Sequence, residues 1–422
     1  MELTPPPAAV DSGAGRLHRH TLLLAGALLV VALIWHVSAT VSQPGARWIM
    51  PDLEVYRAAV DAALAGQPVY AGGFTAGNLP WLYPPFALLA LAPLATVPQA
   101  VAKATMSVLG LVALGLMSGL SWRAMPVVPR WRPTLGLVTS AVLLASEPVQ
   151  QNLAMGQVNL ILAVLVLNDV LLPSGHRAKG YGVGLAAGIK LTPALVAIYY
   201  LFRRDWGAAR NAALTFALSV VVGAVAFPAQ SWTYWTQAAF ASRIGPAHLG
   251  NQSLLGVLLR LSALAGLDAD AVRSVWFPFV VATALAGSWA LAQRDLDRLA
   301  TYCGLAAITL LVSPLSWTPH WVALAPAVVW LAGRQPGLIR CCAVLAGAGL
   351  LLFAWPVDGV WSGLIWLVYP ADYWPTAPPS LGTTGWLLFG SLYPILAVAT
   401  LTVVLRSGRR VPLSSARPTR PA

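Results

Sequence analysis

Two carboxylates two residues apart, Asp52 and Glu54, lie in the stretch Pro51-Asp52-Leu53-Glu54-Val55-Tyr56-Arg57, shortly after a long apolar run. On a helix, positions two apart do not share a face. The pair therefore reads as one acid free for chemistry and one with a local structural task. A carboxylate that takes the proton from an incoming hydroxyl is a general base. The alternative is an N-cap, with Asp52 capping a helix over 53–65. Lys190, between Gly188 and Pro193, interrupts another apolar run. A lysine there needs a partner, and a lipid-linked phosphate held by a point charge is one. The alternative is a lysine that snorkels to the interface. Arg243 suits bidentate phosphate recognition, and Asn251 and Gln252 follow it in the same polar segment. Gln157 and Asn159 are amides able to hydrogen-bond sugar hydroxyls or to join helices. His320 stands between Trp317 and Trp321 at a helix end. Tyr56 and Tyr83 complete the candidate substrate contacts, and Tyr83-Pro84-Pro85 also reads as a helix entry.

The chain around these residues is unusually apolar. Of 422 residues, 58% are hydrophobic and 9% are charged, against about 25% charged in a soluble domain. That excludes an ordinary soluble enzyme, a disordered chain and a fibrous repeat. Continuous apolar runs near the length of a bilayer crossing give an all-α polytopic membrane protein, and their lack of alternation excludes a β-barrel. The net charge of +12 comes largely from short Lys/Arg clusters between apolar runs. Topology explains such clusters, so no nucleic-acid partner is expected. Cys303, Cys341 and Cys342 all fall in apolar runs without metal-ligand spacing. They read as packing residues, and neither a metal nor a cofactor is expected.

The organisation follows. Residues 1–20 form a cytoplasmic tail, 21–405 the membrane domain and 406–422 a second cytoplasmic tail. Loops at about 42–82, 229–272 and 357–383 face outward, and a short helix is expected within 52–66. Counting each apolar run as a span gives about twelve crossings. That version leaves Arg123/Arg130/Arg132 and His176/Arg177/Lys179 outside, against the charge bias. A second version makes 83–121 one crossing and splits 180–201 at Lys190 into two half-helices. It satisfies both clusters, and both versions stay open. Trp355, Trp361, Trp366, Tyr369, Tyr373 and Trp374 near the last outer loop read as an interfacial aromatic belt or as sugar-stacking faces.

Six stretches in order carry a resemblance: DLEVYRAAVDAALAGQPVY, LYPPFALLALAPLA, GQVNLILAVLVLNDVL, GLAAGIKLTPALVAIYYLFRRD, SRIGPAHLGNQSLLGVLLR and SPLSWTPHWVALAP. Together they resemble polyprenyl-phosphate-mannose-dependent α-mannosyltransferases of glycosyltransferase family 87, actinobacterial enzymes that build phosphatidylinositol mannosides and lipomannan. The resemblance implies a GT-C fold in the plasma membrane with an outer-face cavity. It also implies a polyprenyl-phosphate-mannose donor, a glycolipid or lipoglycan acceptor, and inversion at the sugar. Asp52 falls on the family's catalytic aspartate, with Glu54 the alternative. Lys190 and Arg243 fall on positions suited to the donor phosphate. His320 falls on the second position of a usual His-His pair whose first position here is Pro319, and is expected to orient the acceptor or balance charge. A transporter or flippase of a lipid-linked sugar would use the same cations without a base. A non-catalytic assembly subunit would need neither.

Overall fold

The structure, a computed structural model, describes residues 11–41, 50–75, 78–237, 251–333 and 391–410. Arg243, the apolar run at 341–356 and the aromatic loop at 357–383 lie outside the described residues.

Among the described residues, four helices are long and apolar enough to cross a membrane alone: α1 (Asp11–Val41), α4 (Gln99–Arg123), α10 (Trp206–Ala226) and α13 (Ala269–Ala292). A helix of 20 residues rises about 30 Å, the thickness of the hydrocarbon layer. Each keeps an apolar face exposed. On α4 it is Val101, Val108, Val112 and Leu116, and on α10 it is Leu214, Leu218, Val221 and Val225. Helices that are apolar both inward and outward suit a bilayer, not water. The protein is therefore a helical membrane protein.

The other helices are shorter, and several are broken. The expected short helix is α2 (Pro51–Leu64). It is followed by α3 (Pro85–Ala95), then beyond α4 by α5 (Arg132–Leu144), α6 (Glu147–Met155) and α7 (Asn159–Leu171). The axes of α6 and α7 differ by 120°. Next come α8 (Tyr181–Ile189) and α9 (Leu195–Phe202), with a 3-10 turn, Thr192–Ala194, between them. Beyond α10 lie α11 (Pro228–Thr236) and α12 (Leu254–Leu264). After α13, α14 (Arg298–Val312) leads through a 3-10 segment, Thr318–Leu324, into α15 (Pro326–Ala332), and α16 (Leu392–Ser407) follows. One contiguous buried core runs from Met50 to Val404.

The count of about twelve spans is not reproduced among the described residues, because apolar runs do not map one to one onto crossings. The run at 83–97 is the 11-residue α3, which lies beside α2: Arg57 on α2 donates to the carbonyls of Leu94 and, at 2.8 Å, Val97. The run at 180–201 turns back on itself. Asp169 accepts from the backbone of Gly180 at 2.9 Å, where α8 begins, and from the Tyr200 hydroxyl at 2.5 Å, where α9 ends. So α8 and α9 form a re-entrant hairpin with Lys190 at its apex.

The basic segments consequently gather at one end. Lys179 Nζ lies 4.0 Å from Asp205, Arg203 donates to the carbonyl of Ala292 at 3.0 Å, and Arg298 donates to that of Leu171 at 3.1 Å. Arg294 donates to Leu405, and a two-residue strand, Arg294–Asp295, pairs antiparallel with Arg409–Arg410. The split of 180–201 at Lys190 is thus present, whereas 83–121 forms two helices, α3 and α4, and not one run. In a background lacking Cys303, Cys341 and Cys342, a membrane-impermeant thiol reagent should label His176→Cys and Arg204→Cys from one side and Asp61→Cys from the other. Labelling of positions 176 and 204 from opposite sides would restore the twelve-span version.

Candidate active site

Pro51 starts α2 with a preset φ and no N–H to satisfy. Met50 occupies the N-cap position at φ 51°, and no side chain caps the helix. Asp52 is thus released from the capping role, and its carboxylate meets another element. Gly156 ends α6 in the left-handed region at φ 68°. A Cβ there would stand 2.9 Å from Leu53 Cβ and 3.1 Å from Met50 Cβ. Only glycine lets the first turn of α2 seat on the α6–α7 corner, and that seating places Asp52 over the next residue. Gln157 Nε2 donates to Asp52 Oδ2 at 2.5 Å. Burial pushes the Asp52 carboxyl up to about 6, against the opposing pull of the Gln157 hydrogen bond and the Lys190 charge.

From Gln157 the contacts continue inward. Asn159 Nδ2 donates to Gln157 Oε1 and, at 3.3 Å, to the carbonyl of Pro319. Lys190 Nζ donates to Asn159 Oδ1 at 2.8 Å and meets His320 Nε2 at 2.9 Å. An ammonium has only donors, so Nε2 accepts and the ring proton sits on Nδ1, facing the Leu315 carbonyl at 3.2 Å. The Tyr83 ring centroid lies 5.4 Å from Nζ. Among the described residues no carboxylate pairs with Lys190.

The hairpin apex owes its position to close helix contact. Gly184 and Gly188 on α8 face α10, and a Cβ at Gly188 would reach within 2.3 Å of Ser219 Oγ. Lys190 itself is extended, at φ −145° and ψ 124°, before Pro193 begins the return. An open crevice leads away from Lys190 and His320 between α7, α9 and α14. Its lining combines the polar Asn159, Ser313 and Ser316 with apolar residues, among them Leu162, Val166, Val196 and Leu305. Asp52 is not on that wall; it stands behind Gln157 and Asn159.

Seven of the sequence-derived residues therefore meet: Asp52, Tyr56, Tyr83, Gln157, Asn159, Lys190 and His320. Tyr56 and Tyr83 share a hydroxyl contact of 2.9 Å, and Trp81, which the sequence did not single out, packs 5.2 Å from the Tyr83 ring. Glu54 points elsewhere, to Gln99 at 2.9 Å and Lys103 at 3.9 Å on α4. Asn251 and Gln252 are fully buried in structural roles. Asn251 Oδ1 accepts from the backbones of Ser253 and Ser316, both at 3.1 Å, and Gln252 N–H donates to the Ser316 carbonyl at 3.0 Å. They brace the turn that carries His320. Trp317 is buried at the start of that 3-10 segment. The Leu315 carbonyl, which fixes the imidazole, is a backbone group and leaves no signal in a sequence.

Long apolar helices around a convergent polar site describe a helical membrane protein with its polar residues gathered where helices break. The chain belongs to glycosyltransferase family 87: the family model matches residues 81–314, a stretch that begins after Asp52. It is 33% identical over 334 residues to a polyprenol-phosphate-mannose-dependent alpha-(1-2)-phosphatidylinositol mannoside mannosyltransferase of Mycobacterium tuberculosis, covering 73% of this chain and 76% of the relative. It is 32% identical over 418 residues to the corresponding pentamannoside mannosyltransferase of Mycolicibacterium smegmatis, covering 92% and 95%. A weaker structural likeness is to ArnT from Cupriavidus metallidurans bound to undecaprenyl phosphate, with a TM-score of 0.42 at 17% identity over 91% of this chain and 76% of that one.

Gly156→Ala should cost about 1–3 kcal/mol, the usual range for a strained non-glycine backbone. It should also loosen α2, read as a lower Tm in thermal unfolding of the purified protein. An unchanged Tm would show that the α2 seating does not depend on that corner.

Proposed function

We propose that this chain transfers mannose from polyprenyl-phosphate-mannose to a phosphatidylinositol mannoside. The reaction takes place at the outer face of the plasma membrane, within a GT-C type architecture. The observation that carries the reading is Lys190: its Nζ is held by neutral partners, pairs with no carboxylate among the described residues, and lines a largely apolar crevice. A charge in that setting favours an anion, and a crevice of that lining favours a hydrocarbon tail. A polyprenyl phosphate has both. The relatives' names supply the mannose, the acceptor class and an α-(1-2) linkage. Setting the basic end in the cytoplasm, as charge bias requires, turns Asp52 outward.

The family resemblance implies a β-linked donor and an α-linked product, so the anomeric carbon inverts in a single displacement. The acceptor hydroxyl attacks from one side and the phosphate leaves from the other. Asp52 takes the hydroxyl proton as the new bond forms. Lys190 stabilises the charge growing on the departing phosphate. An in-line displacement needs its base and its leaving-group cation close together without touching. Asp52 and Lys190, joined through two amides, meet that requirement.

The test is transfer of radiolabelled mannose from polyprenyl-phosphate-mannose to phosphatidylinositol mannosides by the purified protein. Asp52→Asn should lower kcat by about 10²–10⁴-fold, the usual worth of a general base, with donor KM little changed. Near-wild-type transfer by folded Asp52→Asn protein would place the base elsewhere. Lys190→Gln should raise donor KM; an unchanged KM would remove Lys190 from the phosphate site. Since Asp52 acts as the carboxylate, kcat should fall as pH drops through about 6 and level off above it.

A further inference from the structure

The sequence leaves Gln157 and Asn159 either to join helices or to contact sugar hydroxyls. Their hydrogen bonds leave little capacity for that. Asn159 has two side-chain donors, committed to Gln157 Oε1 and the Pro319 carbonyl, and its acceptor Oδ1 holds Lys190. Gln157 gives Nε2 to Asp52 and Oε1 to Asn159. Its backbone is clamped on both sides by Asn152, whose Nδ2 donates to the Gln157 carbonyl at 3.0 Å and whose carbonyl accepts from the Gln157 N–H at 2.9 Å. All three amide residues are buried. The two side-chain dipoles run in series, each NH2 toward the carboxylate and each C=O toward the ammonium.

Opposite charges in a partly buried setting attract more strongly than in water and close on each other unless something rigid intervenes. A direct Asp52–Lys190 ion pair would block the base and neutralise the cation together. We propose that Gln157 and Asn159 are positioning residues, a rigid two-amide spacer that keeps the base and the phosphate-binding cation apart while orienting both. Its catalytic arm rests on the mannosyl-transfer reading; its phosphate arm rests only on Lys190.

Two variants address the two arms. Asn159→Asp keeps size but sets a carboxylate on Lys190, so the ammonium acquires an internal partner. Binding of polyprenyl phosphate, which carries no sugar, should then weaken about tenfold or more, whereas Asn159→Ala, which leaves the Lys190 charge free, should weaken it far less. A sugar-binding Asn159 predicts no change with this sugar-free probe, and a merely structural one predicts equal loss in both variants; either result overturns the phosphate arm. Gln157→Leu removes the hydrogen bond that holds the Asp52 carboxyl down. The acid limb of the kcat profile should therefore move to higher pH. An unmoved acid limb overturns the catalytic arm. If wild-type protein binds polyprenyl phosphate but transfers no mannose, the proposed function and the catalytic arm fall together, and the contrast between Asn159→Asp and Asn159→Ala still decides the phosphate arm. Misfolding of one variant leaves the other measurement standing.

Discussion

Lys190 Nζ sits among an amide oxygen, an imidazole nitrogen and a tyrosine ring, and much of the architecture serves to hold it there. An ammonium away from water is costly unless its donors are met. Two of its three are met by neutral acceptors, which solvate the charge without cancelling it. Placing that group requires the α8–α9 hairpin to reverse at residue 190, and the reversal requires Gly184 and Gly188 to let α8 approach α10. It also requires the 313–325 turn to bring His320 across, and that turn is braced by Asn251.

The same constraint explains why three helices break at one level. Free backbone groups inside hydrocarbon are expensive, so irregular segments occur at membrane depth only where protein or a cavity covers them. Side chains at these breaks meet free backbone groups, twice within their own break and once across to another. Asn152 bonds the backbone of Gln157, Asn159 bonds the carbonyl of Pro319, and His320 bonds that of Leu315. The side chains that make the site polar are the ones that stabilise the breaks. At Pro319 the contribution is a backbone carbonyl, available whatever side chain the position carries.

How much of this was legible in the sequence follows from the kind of signal each residue gives. Asp52, Lys190, His320 and Tyr83 stand out because a polar or ring-bearing residue beside a proline or inside an apolar run has few structural excuses. The helix break at Lys190 was written in Gly188 and Pro193. Glu54 was separable from Asp52 by helix periodicity alone. The roles of Gln157, Asn159, Asn251 and Gln252 were not legible, since an amide's type does not say which way its dipole points or whether its capacity is already used. Among the described residues the span count is not confirmed, for a physical reason: an apolar run of bilayer length folds equally well into a crossing, a re-entrant hairpin or a helix lying beside another.

With Lys190 as the proposed site of a lipid-linked phosphate, the tail would lie in the crevice between α7, α9 and α14. An electron cryo-microscopy map of the protein with polyprenyl-phosphate-mannose bound should then show phosphate density within hydrogen-bonding distance of Lys190 Nζ, about 3 Å, with the polyprenyl chain running past Leu162 and Val166. Phosphate density at the opposite, basic end beside Arg203 and Arg298, with the crevice empty, would contradict it.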